Sequence, residues 1–264
     1  MPRPTASAVP SIAELRVRTQ PESIFARNSG EHWAGRLYMR RASPYLTRLL
    51  IPTRITPNGV TWLMIAVGLA AAAVLTLPGW WPPVVVVALI QCQLLLDCSD
   101  GELARWRGVS SPAGIYLDRM AHYLTEAALP VALAIRADGG WDSIGGWTDL
   151  GLLTAVLVLN VRIEYTLVYV ARAESGLPVV EDSAAVSSPR GARMARLRRM
   201  LSFAPFFRAF VAIEFSFLAL IAAIGDELTD GLGATRLLVV VLVPVAALTA
   251  AGRLAAILNS QRLR

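Results

Sequence analysis

Six apolar runs of about 20 residues, each long enough as a helix to cross roughly 30 Å of hydrocarbon, lie near 60–78, 83–104, 114–136, 149–172, 204–225 and 234–257. The connections "PGWWPP" (78–83), "ADGGWDSIGGWTD" (137–149) and "GDELTDGLG" (225–233) hold turn residues and acids but no arginine. The arginines gather on the other side: Arg40, Arg41, Arg48 and Arg54 before the first run, Arg105 and Arg107 after the second, and Arg190, Arg193, Arg196, Arg198 and Arg199 between the fourth and fifth. Both ends of the sequence, with Arg262 and Arg264, fall on that basic side, which the positive-inside rule makes cytoplasmic. Ahead of the first run, "SGEHWAGRLYMRRASPYLTRLL" (29–50) mixes Trp33, Leu37, Tyr38, Tyr45 and Leu49 with arginines at helical spacing. That pattern predicts a helix lying in the membrane interface, with a solvated arm as the competing reading. Residues 175–199, rich in Ser, Pro, Ala and Arg, read as a mobile cytoplasmic loop. The predicted fold is all-α and integral to the inner or plasma membrane. A polar extension (1–28) and an interfacial amphipathic helix (29–55) precede six transmembrane helices (56–258), and a short cytoplasmic tail (259–264) follows.

Composition narrows the class. With 264 residues, 55% hydrophobic and 17% charged, and a mean hydropathy of +0.52, the chain is too apolar for an ordinary soluble domain. Its net charge of +6 is carried wholly by arginine, since there is no lysine. So apolar a chain excludes nucleic acid as a natural partner, whereas anionic lipid head groups suit basic segments beside a membrane. Cys92 and Cys98, six apart on one predicted helix, cannot readily bridge each other and read as buried thiols. The first residues, with three prolines and no apolar core before Ile12, do not resemble a secretory signal.

Charge is concentrated where a bilayer tolerates it least, in "DCSDGELARWRGVSSPAGIYLDRMAH" (97–122). Asp97, Asp100, Gly101 and Ala104 fall at i, i+3, i+4 and i+7, on one face near the cytoplasmic end of the second run. Gly114, Asp118 and His122 fall at i, i+4 and i+8 on one face of the third. Residues 105–113 read as a short turn, so the two helices are antiparallel neighbours and their polar faces can meet. Clustered carboxylates repel one another and lose hydration, so the arrangement calls for a cation among them. Hard oxygen ligands favour Mg2+, Mn2+ or Ca2+, and Mg2+ commonly brings a substrate phosphate into its shell. Arg105, at the cytoplasmic rim, is placed to hold a phosphate oxygen, and Gly101 and Gly114 leave room for a ligand close to the backbone. A charged clamp between helices, without any ligand, would need matched cations rather than an excess of acids.

The run Asp97-x2-Asp100-Gly101-x2-Ala104-Arg105-x8-Gly114-x3-Asp118 resembles the signature of the CDP-alcohol phosphotransferases, membrane enzymes of phospholipid synthesis. "TPNGVT" (56–61) is similar to a Pro-Asn-x-x-Thr element that opens the first span in that family. The resemblance implies transfer of a substituted phosphate from a CDP-linked lipid donor, such as CDP-diacylglycerol, to the hydroxyl of a polar alcohol, releasing CMP. It also implies a pair of divalent ions, Mg2+ or Mn2+, held by Asp97, Asp100, Asp118 and the residue at 122. Asn58, Thr61, Gly101, Ala104, Arg105 and Gly114 would then line the nucleotide site, and the protein would be a homodimer.

The sequence departs from the family pattern at its last position, where His122 stands in place of a fourth aspartate assigned as metal ligand and general base. A neutral imidazole, with an ordinary pKa of about 6.5, suits proton abstraction from an acceptor hydroxyl at cytoplasmic pH. It can also bind metal, with one negative charge fewer, and a third reading is that the position has decayed and the protein is slow or inactive. Glu126, four residues on and on the same face, is placed to accept a hydrogen bond from the imidazole and raise its basicity. His122 and Glu126 are therefore the candidate catalytic pair, with pairing of Glu126 to an arginine as the alternative.

More charge lies within the later runs: Arg162 and Glu164 in the fourth, Arg208 and Glu214 in the fifth. Intramembrane charges usually face the bundle interior and mark a substrate path. Arg162 and Arg208 suit an acceptor bearing its own phosphate or carboxylate, and Arg119 faces either the acceptor or lipid head groups; structural pairing of Arg162 with Glu164 or Glu214 is the competing reading. The "DR" at 118–119 and the arm before "ITPN" loosely resemble members handling inositol phosphate, which tilts the reading to a polyol phosphate acceptor, with glycerol phosphate, serine and a sugar alcohol as open alternatives. Two other classes remain in view: a silent relative that binds nucleotide or lipid, which His122 makes credible, and a six-helix transporter, for which the chain lacks paired broken-helix segments.

Overall fold

The computed structural model describes residues 10–22, 32–178 and 206–263, and its regular structure there is all helical, with no strand among the described residues. Arg190, Arg193, Arg196, Arg198 and Arg199 of the expected loop lie outside the described residues, as do Arg264, residues 1–9 and the stretch 23–31 at the start of the expected interfacial segment. The described helices are α1 (Ile12–Thr19), α2 (Arg40–Leu50), entered through a π-helical turn (Gly35–Met39), α3 (Pro57–Leu75), α4 (Trp81–Arg107), α5 (Pro112–Asp138), α6 (Gly146–Glu174), α7 (Ala212–Leu228) and α8 (Gly233–Leu258).

Local chemistry explains where they begin and end. Thr56 precedes Pro57 and its hydroxyl accepts from the Gly59 N–H at 3.0 Å; Ser111 precedes Pro112 and accepts from the Gly114 N–H at 3.0 Å. In both, proline occupies the first helical position, where its missing N–H costs nothing, and the hydroxyl satisfies an N–H that the helix cannot. At the other ends, α4, α5 and α6 stop at Gly108, Gly139 and Gly176, with φ of +65°, +104° and +68°. The next N–H, of Val109, Gly140 or Leu177, reaches back to the carbonyl of Ala104, Ile135 or Arg172. These caps leave only 108–111 between α4 and α5, a tighter turn than the expected 105–113, and keep Arg105 and Arg107 helical.

Each of the six expected runs holds a helix, but α3, α4, α6 and α8 alone are long and apolar enough to cross a bilayer by length and composition among the described residues. Helix α5 carries Asp118, Arg119, Glu126 and Arg136 within its 27 residues. Helix α7 has 17 residues, about 26 Å at 1.5 Å per residue, short of a hydrocarbon core of roughly 30 Å. The expected start at 204 lies outside the described residues; these resume with a short 3-10 segment (Phe206–Phe210), and Val211, extended at φ −72° and ψ 133°, separates that segment from α7.

The chain divides into two compact units, 1–67 with 91–121 and 68–90 with 122–264. In the first, Val60, Met64, Ile65, Leu96, Leu103 and Ala121 form a buried core against which Leu46, Leu50, Ile55 and Leu117 pack. In the second, α8 packs on α6 and α7. There Gly151 of α6 lies so close to α5 that a Cβ would come within 2.4 Å of the Ala134 Cβ and 2.8 Å of the Pro130 carbonyl oxygen. Two carboxylates then tie successive helices. Asp138 accepts from the N–H groups of Gly145 and Thr148 at 2.9 Å each and from the Thr148 hydroxyl at 2.6 Å. Asp226 accepts from the N–H groups of Ala234 (2.8 Å) and Thr235 (3.1 Å) and from the Thr235 hydroxyl. Each satisfies N–H groups at a helix start that have no intrahelical partner.

Of the two cysteines, Cys98 is buried but Cys92 is exposed. Six residues turn a helix by about 240°, so both could not face one core. Trp62, Leu69, Leu152, Val156, Leu237 and Leu248 are exposed as well. So apolar a surface suits lipid rather than water.

Candidate active site

The turn at 108–111 folds α4 back against α5 and brings their polar faces together. Asp97 of α4 and Asp118 and His122 of α5 each offer one ligand atom, and these atoms lie within 4.8 Å of one another, all three residues being half-buried. Asp100, one turn beyond Asp97, is buried and stands outside that trio: its Oδ2 accepts from the Thr61 hydroxyl of α3 at 2.7 Å. It is still close enough to Asp97 and Asp118 to feel both charges. Three neighbouring carboxylates with an imidazole form a hard, acid-rich donor set, which fits a divalent cation of the Mg2+ or Mn2+ kind.

The room expected over the two glycines is filled by other expected nucleotide-site residues. A Cβ on Gly101 would meet the Arg105 guanidinium at 3.1 Å, and one on Gly114 would meet Asn58 Oδ1 at 3.1 Å. Glycine at these positions therefore lets Arg105 lie back along α4 and lets Asn58 of α3 approach α5. Arg105 donates through Nε to the Thr19 carbonyl at 2.5 Å, while its Nη2 is buried with no hydrogen-bond partner among the described residues. Ala104 is half-buried beside it. Arg107 is committed to backbone, donating to the carbonyls of Ile55 and Thr53.

Glu126 is buried, and both of its carboxylate oxygens accept from Arg162, through Nε at 2.6 Å and through Nη2. The geometry thus shows the arginine pairing of Glu126. It also corrects the expected partner of a structural Arg162, which is Glu126 rather than Glu164 or Glu214. Glu164 keeps its Oε2 buried without a hydrogen-bond partner among the described residues, and Glu214 sits in the first turn of α7. Arg119 is exposed; Arg208 is exposed too, on the 3-10 segment and not inside the fifth helix as expected.

Two residues escaped the sequence reading. Glu102 is fully buried among Gln20, Ser43 and Thr47; its helical phase, two residues from Asp100 and so on another face of α4, was the available signal. Arg253 of α8 lies over the Tyr165 ring at 5.8 Å and donates to the Val161 carbonyl at 3.4 Å; its place inside an apolar run was the signal.

Residues 54–225 match the family described as CDP-alcohol phosphatidyltransferase. The chain belongs to that family. Among its relatives is the inner membrane protein YnjF of Escherichia coli (strain K12), 37% identical over 100 residues, 38% of this chain and 47% of that one. The bifunctional IPC transferase and DIPP synthase of Aquifex aeolicus (strain VF5) is 30% identical over 118 residues, 45% of this chain and 25% of its own length. The archaetidylinositol phosphate synthase of Aeropyrum pernix is 37% identical over 101 residues, 36% of this chain and 50% of its own. The chain thus spans half or less of each of these relatives. Family membership together with the four apolar helices makes this CDP-alcohol phosphatidyltransferase relative an integral membrane protein.

Proposed function

We propose that the protein transfers a phosphatidyl group from CDP-diacylglycerol to the hydroxyl of a polar alcohol, at the cytoplasmic face of the membrane, and releases CMP. The observation that carries this reading is the convergence of Asp97, Asp118 and His122 within 4.8 Å across the α4–α5 turn. Asp97, Asp118 and His122, with Asp100 beside them, would hold a pair of Mg2+ or Mn2+ ions, which when bound neutralise the diphosphate charge of the donor. Thr61 keeps the Asp100 carboxylate in place. Arg105 and Asn58 bind the nucleotide end. The proton of the acceptor hydroxyl passes to a carboxylate oxygen of Asp118 that holds no ion; the hydroxyl oxygen bonds to the lipid-bearing phosphorus, and the bond from that phosphorus to the bridging oxygen breaks, leaving CMP. Arg208 and Arg119 serve the acceptor, while Arg162 stays paired with Glu126. A polyol phosphate such as inositol phosphate is the proposed acceptor, a choice supported by the name of the archaetidylinositol phosphate synthase. Six spans, the interfacial helix at 29–55 and a homodimer belong to the same proposal.

The purified protein, given CDP-diacylglycerol, Mg2+ or Mn2+ and a panel of alcohols and polyol phosphates, should release CMP with one acceptor class and with no other. His122 supports a second reading, a silent relative that binds CDP without turnover. Saturable CDP binding with no CMP from any acceptor would establish that reading and sink the first.

A further inference from the structure

Helix α1 lies far upstream of the residues that match the family, yet its end touches the proposed nucleotide site. Thr19 gives its carbonyl to Arg105, and the Arg18 guanidinium lies 4.5 Å from the centre of the Trp106 ring. A polar knot around Glu102 holds this arrangement. Oε1 of that fully buried carboxylate accepts from the Ser43 hydroxyl at 2.5 Å and the Gln20 amide at 2.8 Å, and lies 3.6 Å from Arg40 Nη1. Oε2 accepts from the Thr47 hydroxyl at 2.7 Å. Proline contributes too: Pro44, inside α2, has no N–H to offer the Arg40 carbonyl, and the Gln20 amide donates there instead at 2.8 Å. Donors from the α1 end and from α2 thus converge on one residue, two places after Asp100 and three before Arg105. An apolar side chain would hold α1 and α2 to α4 without burying a charge; a fully bonded carboxylate instead admits one alignment of its partners.

We propose that Glu102 is a positioning residue of the nucleotide site: it aligns the N-terminal helices on α4 so that the Thr19 carbonyl fixes the Arg105 guanidinium over Gly101. That leaves the buried Arg105 Nη2 as the donor for a phosphate oxygen of the CDP-linked substrate. This rests on the reading of Arg105 as a nucleotide ligand.

The test is a cycle of CDP affinities in the presence of Mn2+, using wild type, Glu102→Ala, Arg105→Ala and the double variant. Glu102→Ala should weaken CDP binding by about tenfold or more, and the double variant should bind no more weakly than Arg105→Ala alone. Glu102→Gln, which can still accept from most of its donors, should stay within about threefold of wild type, and Glu102→Ala should raise the donor KM by a larger factor than it lowers kcat. If Glu102→Ala fails to fold, Gln20→Ala and Ser43→Ala, which leave α4 untouched, complete the same cycle with Arg105→Ala. Wild-type affinity in these variants, or losses that multiply with Arg105→Ala, overturns the proposal while leaving the proposed function standing. No CDP binding by the wild type overturns both.

Discussion

His122 is an imidazole where a carboxylate would bring a full negative charge to the same cluster. Nitrogen ligands suit Mg2+ less well than carboxylate oxygens do. Activity of the wild type should therefore favour Mn2+ over Mg2+, and His122→Asp should move the preference toward Mg2+, read from CMP release at matched concentrations of the two ions. Asp118→Asn, by contrast, should lose at least about a hundredfold in turnover with either ion. Arg162 and Glu126 predict a different outcome, because their bond is a matter of stability. With Glu126 only 3% exposed, Arg162→Met strands a buried carboxylate and should cost on the order of 3 kcal/mol. Adding Glu126→Gln should recover part of that loss in thermal melts in detergent. At this scale the i, i+4 spacing made the Asp118–His122 face legible. It could not show that the Glu126 oxygens turn to α6, because helical phase names a face and not which neighbour fills it.

Helix ends were largely written in short-range chemistry. "TPNG" and "SPAG" start α3 and α5 with the same hydroxyl-then-proline device, and a glycine at positive φ closes α4, α5 and α6. The start of α7 carried no such signal, since apolar residues run on both sides of the extended Val211. Helix contact yields a sharp prediction at Gly151, where a Cβ has no space: Gly151→Leu should overpack the α5–α6 contact and lower stability by about 1–3 kcal/mol. At Asp138, just past the apolar stretch of α5, burial pushes the carboxyl up. The Thr148 hydroxyl and the N–H groups of Gly145, Thr148 and Trp147 outweigh it, holding the pKa below its ordinary 3.8. A depressed native pKa stabilises the fold fully above that ordinary value and loses the contribution as pH falls through the native one. Asp138→Asn should therefore melt lower than wild type at neutral pH, with the gap closing on acidification below about pH 4.

At the scale of the molecule, the apolar runs made an all-helical membrane protein legible, but two of the six expected spans do not stand on length and composition: α5 because it carries Asp118, Arg119, Glu126 and Arg136, α7 because it is short. The proposed orientation is open to labelling. A cysteine introduced for Ser143 in the arginine-free connection should react with an impermeant thiol reagent from outside intact cells, and one introduced for Arg41 should react only after permeabilisation; the reverse pattern would invert the topology. The four-residue turn between α4 and α5 has a consequence for biosynthesis. Every group of the acid–imidazole trio falls within 26 consecutive residues, almost all of them helical. Closing so short a loop sacrifices little chain entropy. A ribosome-bound chain that has made α5 but not yet α6 already carries all three side chains, so the proposed loading with cation can precede synthesis of nearly half of the protein.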